Sequence, residues 1–561
     1  MLCGACRPIA LMGRRATFSL LRTCTPISSP TRAFLQTRSL SSPRPAEVLP
    51  MFPEYADALR LQREGNFRKA TPLLQRMLDV VVATMGDSSA PAVFLRRRTA
   101  ALHVKQGLFS EALKLLGGQG GEAQDPGSRT AAAMVLLLSG DTPAAVSGAM
   151  RAVELCEQAG VVEAAGAHEQ DGFLLLSSSY GALGVSSAYC ALDARAGPEA
   201  REQSWYDAEA FLQMAARWSQ QQTQTQHQSP SDPAAALATH AAYAASNVST
   251  LANLGSLCIF KLADAGQADE QGVEQGSQMP LSLPLLRFEA VQAPGREQGG
   301  LLQLQLVREA LGYWEEALQA AVGGGGSSSS AAAMCGVAGM TPDMTMTGMS
   351  SVEVKKASSD LSPAPPSPTL SPSLEQLLTQ VRFLEAYCGV LCNFAELYEL
   401  SGNLGKKQEY VSAALAAVQV YTDRLSSDSS SSSGSSSGSS GSGTMEHHPV
   451  LGRVLTLAAV TEMQAGRAVA AEGLFRSALG YLESPHALLD PRCQLEGAVA
   501  LAAYGALLGA SDKRKEGGRE MQQQARQKLV KLLKEHSGAV ATDRLMPLTA
   551  LMQLPQLDSE F

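Results

Sequence analysis

No acidic residue and no lysine occurs before Glu47, although that stretch carries seven arginines and many serines and threonines. The bias reads as an organellar targeting peptide over residues 1–46. Arg38-Ser39-Leu40-Ser41 is similar to a mitochondrial processing site, which puts the expected cut near Leu40 and Ser41. The expected address is mitochondrial, in the matrix or peripheral to the inner membrane, with the chloroplast as the alternative. No run of 18 apolar residues occurs, and the best stretch, 131–138, is too short to cross a bilayer, so no transmembrane span is expected. Positive charge is scarce as well. Processing removes six of the 45 basic residues and none of the 53 acidic ones, leaving 39 against 53 and a net charge of −14. Sequence-independent phosphate binding depends on Lys and Arg displacing counterions, so nucleic acid is not favoured as a partner. The local exception is the run Arg96, Arg97 and Arg98, which a solvated helix face explains as well.

Catalytic and metal-binding signatures are missing in the same way. Cys3 and Cys6 have redox spacing but lie in the segment removed on import. Cys388 and Cys392 stand one helical turn apart with no further ligands in sequence, which suits core cysteines better than a metal site. Ten cysteines in 561 residues do not make a disulfide scaffold. Gly402-Asn403-Leu404-Gly405-Lys406-Lys407 looks superficially like a phosphate loop, yet Leu400 replaces the first glycine and Lys407 replaces the magnesium-binding hydroxyl. His447 and His448 are adjacent and read as a loop, and Met340, Met344, Met346 and Met349 read as low-complexity drift rather than a Cu(I) site. No series of nucleophile, base and orienting group appears, so no catalytic residue, cofactor or metal site is expected and the chain reads as a non-enzyme.

What is present is internal repetition. The clearest copy starts at Asn393, Asn-Phe-Ala-Glu-Leu-Tyr-Glu-Leu-Ser-Gly-Asn-Leu. Two antiparallel helices approach closely only where small residues face larger apolar ones, and such positions recur. The first copy has Ala58, Leu61, Gly65, Phe67, Ala70, Leu74 and Met77. Gly107 follows Gly65 by 42 residues, with Ala100, Phe109, Ala112 and Leu116 in register. A third copy has Ala133, Gly140, Ala145, Ala149 and Ala152, and a late one has Ala459, Gly466, Ala471, Phe475 and Ala478. Weaker matches are Trp205, Ala208, Leu212 and Ala215, then Leu254, Gly255 and Cys258 with Ala310, Trp314 and Ala317. In the Asn393 copy Gly402 is the turn, and Lys407 stands where a small residue is usual. A final pair is expected around Tyr504 and residues 522–533.

On these residues the chain resembles the tetratricopeptide repeat superfamily, and the 42-residue spacing is similar to its kinesin-light-chain type. The resemblance implies an all-α solenoid of antiparallel helix pairs, six to eight of them. Composition divides it into repeats over 51–322, a low-complexity linker over 323–373, a repeat over 374–425, a Ser/Gly-rich insertion over 426–444 and further repeats over 445–540. Residues 220–233, 323–373 and 426–444 are too polar and too rich in Gly, Ser and Pro to offset chain entropy, and are expected to be disordered inserts. Two lobes, or one stack with a looped-out insert, both fit. The resemblance further implies a concave groove for a peptide or helix of a protein partner, with Asn253, Asn393, Arg97 and Arg98 as groove candidates. The expected role is an organellar scaffold serving assembly or maintenance of a respiratory-chain complex. An RNA-binding helical repeat, which needs a basic concave face, is the alternative.

Overall fold

The computed structural model describes residues 45–63, 66–117, 125–158, 170–192, 197–225, 233–270, 297–322, 381–400, 403–431, 449–484, 487 and 491–537. The expected targeting segment through residue 44, Gly65, Gly402, the expected linker over 323–373, the methionine cluster, both adjacent histidines and residues 226–232 and 432–444 of the shorter tracts lie outside them. Among the described residues the fold is all-α, with no strand.

Among the described residues, short helical segments at Pro45–Val48 and Leu49–Met51 precede the first of eight helical hairpins. The pairs are α1 (Pro53–Arg63) with α2 (Phe67–Met85), α3 (Ala90–Lys105) with α4 (Phe109–Gly117), and α5 (Pro126–Leu138) with α6 (Thr142–Gln158). Next come α7 (Gln170–Leu192) with α8 (Pro198–Thr225), α9 (Pro233–Glu270) with α10 (Glu297–Val322), and α11 (Val381–Leu400) with α12 (Leu404–Ser431). The last two are α13 (Pro449–Gln464) with α14 (Ala468–Leu482) and α15 (Pro491–Gly509) with α16 (Lys515–Ser537). Each helix packs on the next in sequence. The first helices also pack on one another, α3 on α5, α5 on α7, α7 on α9, α9 on α11, α11 on α13 and α13 on α15. Contacts concentrated on near neighbours in this way are what stacked repeats make.

The hairpin turns show why the repeat is local chemistry. After the first helix, a backbone N–H bonds the carbonyl five residues back in five hairpins: Asn66 to Leu61, Leu108 to His103, Asp141 to Leu136, Asn403 to Tyr398 and Arg467 to Glu462. Where the preceding glycine is described it is left-handed, with φ of 71° at Gly107, 87° at Gly140 and 76° at Gly466. This is the Schellman closure of a helix, which a residue lacking Cβ adopts most cheaply. Four residues beyond each donor, the second helix begins its packing with Ala70, Ala112, Ala145, Lys407 and Ala471, all 0% exposed. Four of these five slots hold alanine and one holds a fully buried lysine.

The other small residues at the crossings are buried too, among them Ala58, Ala100, Ala133, Ala208, Ala310, Ala459 and Ala478. Gly255 shows how close the helices come, since a Cβ there would lie 2.3 Å from Trp314 Nε1. Trp314 is 1% exposed, donates its indole N–H to the Ala252 carbonyl at 3.0 Å and meets Phe394 edge-on at 5.6 Å. That last contact joins α10 to α11 across the 323–373 linker. One apolar core accordingly runs from Ala133 on α5 to Ala458 on α13, so the helices flanking the linker are packed together rather than held in separate lobes.

Two of the expected disordered inserts begin within helices. Residues 220–225 continue α8, and 426–431 continue α12. Glutamine, a good helix former, fills most of 220–225, and extending an existing helix costs far less than nucleating one, so even the Ser-rich 426–431 is drawn into the last turns.

Candidate functional site

The first helices are buried well beyond the single stripe of an ordinary amphipathic helix. Residues 181–188 of α7, 251–259 of α9 and 386–395 of α11 are buried on every side. This interior contains polar side chains, and they connect each first helix to the next. Thr130 on α5 and Ser179 on α7 bring their hydroxyls within 2.7 Å. Ser177 on α7 lies 3.3 Å from Ser246 on α9 and 2.6 Å from Ser219 on α8. Asn393 on α11 donates to Ser256 on α9 at 3.4 Å and accepts from Arg453 on α13 at 2.9 Å. Arg453 also binds Glu396 on α11 at 2.8 Å and approaches Glu496 on α15 at 4.0 Å. A polar seam thus runs through six successive first helices, with hydroxyls at one end and charges at the other. Each link satisfies groups that would be costly to bury alone.

The four groove candidates are accounted for by this packing. Asn393 is 1% exposed and is a link in the seam, and Asn253 is 2% exposed on the same interior of α9. Arg97 is 6% exposed beside Asp125, whose carboxylate caps α5 by accepting from the Ser128 N–H at 2.8 Å. Arg98 reaches back to α1, donating to Gln62 at 3.0 Å and Tyr55 at 3.2 Å, with its guanidinium over the Tyr55 and Phe94 rings. Arg96 pairs with Asp87. The three consecutive arginines point to three different partners and brace neighbouring elements.

Lys407 stands out in sequence as a misfit, while its partners do not. Its ammonium bonds Glu399 at 2.7 Å and Gln464 at 2.9 Å, and Gln464 in turn donates to Glu399 at 2.6 Å. Burial lowers the Lys407 pKa and the Glu399 carboxylate opposes that shift. Ser177, Glu396, Arg453 and Glu496 were also missed. Their signal is a polar residue inside an otherwise apolar first helix, as Arg453 is between Leu451 and Val454 or Glu496 between Leu495 and Ala498.

Cys388 and Cys392 are 0% and 1% exposed in the α11 core. Among the described residues no group of three or more His, Cys, Asp or Glu is placed to hold a metal ion, and no helix is long and apolar enough to cross a membrane. No protein-family model matches the chain, and no curated protein matches it in sequence.

Proposed function

We propose that this chain is a tetratricopeptide-like scaffold that acts by holding protein partners rather than by catalysis. The observation that carries the reading is the succession of hairpins among the described residues, five of them closed by one recurring turn and packed through alanine-sized crossings. Such a stack presents a long surface of fixed curvature to other proteins. The arginine-rich amino terminus supports a mitochondrial address. Assembly or maintenance of a respiratory-chain complex is the task we assign, by analogy with organellar proteins of this repeat type. The engagement of Arg96, Arg97 and Arg98 within the fold, together with the acidic balance, gives the RNA-binding alternative no favoured surface.

The test is crosslinking followed by affinity purification of the tagged full chain from mitochondria. Stable recovery of subunits or assembly intermediates of one respiratory complex is expected, with crosslinks on the second helices and hairpin turns. The interior turns of α7, α9 and α11 are closed by the chain's own packing and should stay unlabelled. Recovery of no protein partner, or of RNA in its place, would overturn the assignment.

A further inference from the structure

The joint between the last three hairpins differs in chemistry from the α7–α9 joint. At the α7–α9 contact the polar link is a pair of hydroxyls, whereas at α11, α13 and α15 it is one guanidinium between two carboxylates. The side chains of Arg453, Glu396 and Glu496 are only 7%, 12% and 9% exposed. The guanidinium is unevenly shared. Its Nε and Nη2 both serve Glu396, Nη2 also serves Asn393, and Glu496 is left at 4.0 Å.

Other charges do not correct the imbalance. The neighbouring Lys407 is committed to Glu399. On the remaining elements packed against α15, Glu472 of α14 pairs with Arg476 and with Arg514, and Glu483 of α14 pairs with Lys528 of α16. Cys392 is the other titratable group at the cluster, a buried thiol that adds no positive charge. With both carboxylates ionised, the interior of the joint carries a net negative charge, which is expensive where water is excluded.

We propose that Glu396, Arg453 and Glu496 form a proton-linked latch: one bound proton neutralises the cluster and seals α15 onto α13, and its loss loosens the α15–α16 hairpin from the stack. The proton is held by the carboxylate pair, chiefly on Glu496, which has the poorer contact with the cation. Burial pushes the Glu496 carboxyl up to about 7, with Arg453 pulling it down only part of the way. Burial raises Glu396 as well. Because the closed form binds more protons than the open one, closure is strongest at acid pH and is lost as pH rises through the closed-state value. The closing equilibrium should weaken by up to about tenfold per pH unit across that window.

The test is hydrogen exchange of the full chain between pH 5 and pH 8, corrected for intrinsic exchange rates. Protection over 491–537 should fall selectively as pH rises, while protection over α5 to α9 stays level. Glu496→Gln, which keeps the Glu396–Arg453 pair and cannot lose a proton, should hold its protection at pH 8. Glu396→Gln serves as the second variant should the first fail to fold, and it should flatten the profile likewise. A wild-type profile that is flat, a loss shared equally by all hairpins, or a variant that keeps the wild-type dependence would each overturn the latch.

Discussion

The Lys407 ammonium stands 2.7 Å from Glu399 in the slot that Ala70, Ala112, Ala145 and Ala471 occupy in the sister hairpins. Lys407→Ala therefore restores the residue type of the repeat and should still destabilise the protein. It empties the space of three methylenes and an ammonium and leaves Glu399 and Gln464 without their cation. A loss of about 2–4 kcal/mol is expected, from cavity and broken ion pair together. Lys407→Met should lose less, because it fills the volume, and adding Glu399→Gln to Lys407→Ala should recover part of the cost. Urea denaturation with comparison of midpoints and slopes measures all three. A Lys407→Ala protein as stable as wild type would show that the slot prefers alanine here too.

How much of the fold was legible follows from the same slot. The five hairpins with the shared turn are those with the plainest glycine and alanine spacing, because closure and crossing are both set by residues close in sequence. Helix α7 was not legible. Its run Leu176-Ser177-Ser178-Ser179-Tyr180-Gly181 reads as turn-forming by composition, yet it is helical where it packs among α5, α6, α8 and α9. The candidate site was less legible still. An asparagine at a repeat position announces a hydrogen bond, yet whether it faces a groove or the next first helix depends on the burial of that face. Arg453 and Glu496, 43 positions apart, meet only once the hairpins have stacked.

The approach of Trp314 to Gly255 gives a sharper steric test. A methyl group added at Gly255 would meet the indole at 2.3 Å, and the ring is fixed by its bond to the Ala252 carbonyl and by Phe394. Gly255→Ala should cost about 1–3 kcal/mol through overpacking. Combined with Trp314→Phe, which shortens the ring, it should cost less than the sum of the two changes. Additivity in a double-mutant cycle would mean that the two residues do not press on each other.

The turn glycines make a different prediction, because no neighbour crowds Gly466 and only its φ of 76° resists a side chain. Gly466→Ala should cost about 1 kcal/mol, and Gly107→Ala a similar amount for its φ of 71°. The two turns lie in the second and seventh hairpins, separated by four hairpins in the order of the chain, so the costs should add within a few tenths of a kcal/mol. Thermal or urea midpoints of the single and double variants check this.

Glu472 places a second pH dependence on the last hairpins, opposite in sign to the latch. It receives both Arg514 terminal nitrogens, at 2.7 and 2.9 Å, and the Tyr504 hydroxyl at 3.1 Å. These hydrogen bonds, led by Arg514, hold its carboxyl down at about 2. A depressed value means that the open form binds more protons, so this contribution is present above about pH 4.5 and fades as pH falls toward 2. Protection of α15 and α16 should therefore peak in mildly acid solution and decline on both sides. Glu472→Gln should remove the acid limb and leave the alkaline limb, and the converse holds for Glu496→Gln. Loss of both limbs in either variant would mean that one group governs both.

The buried thiols report whether the α11 core opens at all. Burial pushes Cys392 up to about 12 and Cys258 to about 12, and raises Cys388 well above the ordinary thiol range. Only the thiolate attacks an alkylating reagent, so at pH 8 these cysteines carry almost none of the reactive form and are sterically closed as well. Iodoacetamide followed by peptide mass spectrometry should leave Cys258, Cys388 and Cys392 unmodified in the folded chain and label them fully in denaturant. Loosening of the latch at pH 8 should not change this, because α11 is held on its other side by α9 and α10 through Ser256, Trp314 and the core they share. Labelling of Cys392 together with loss of protection over 491–537 would place the opening one hairpin earlier, between α11 and α13.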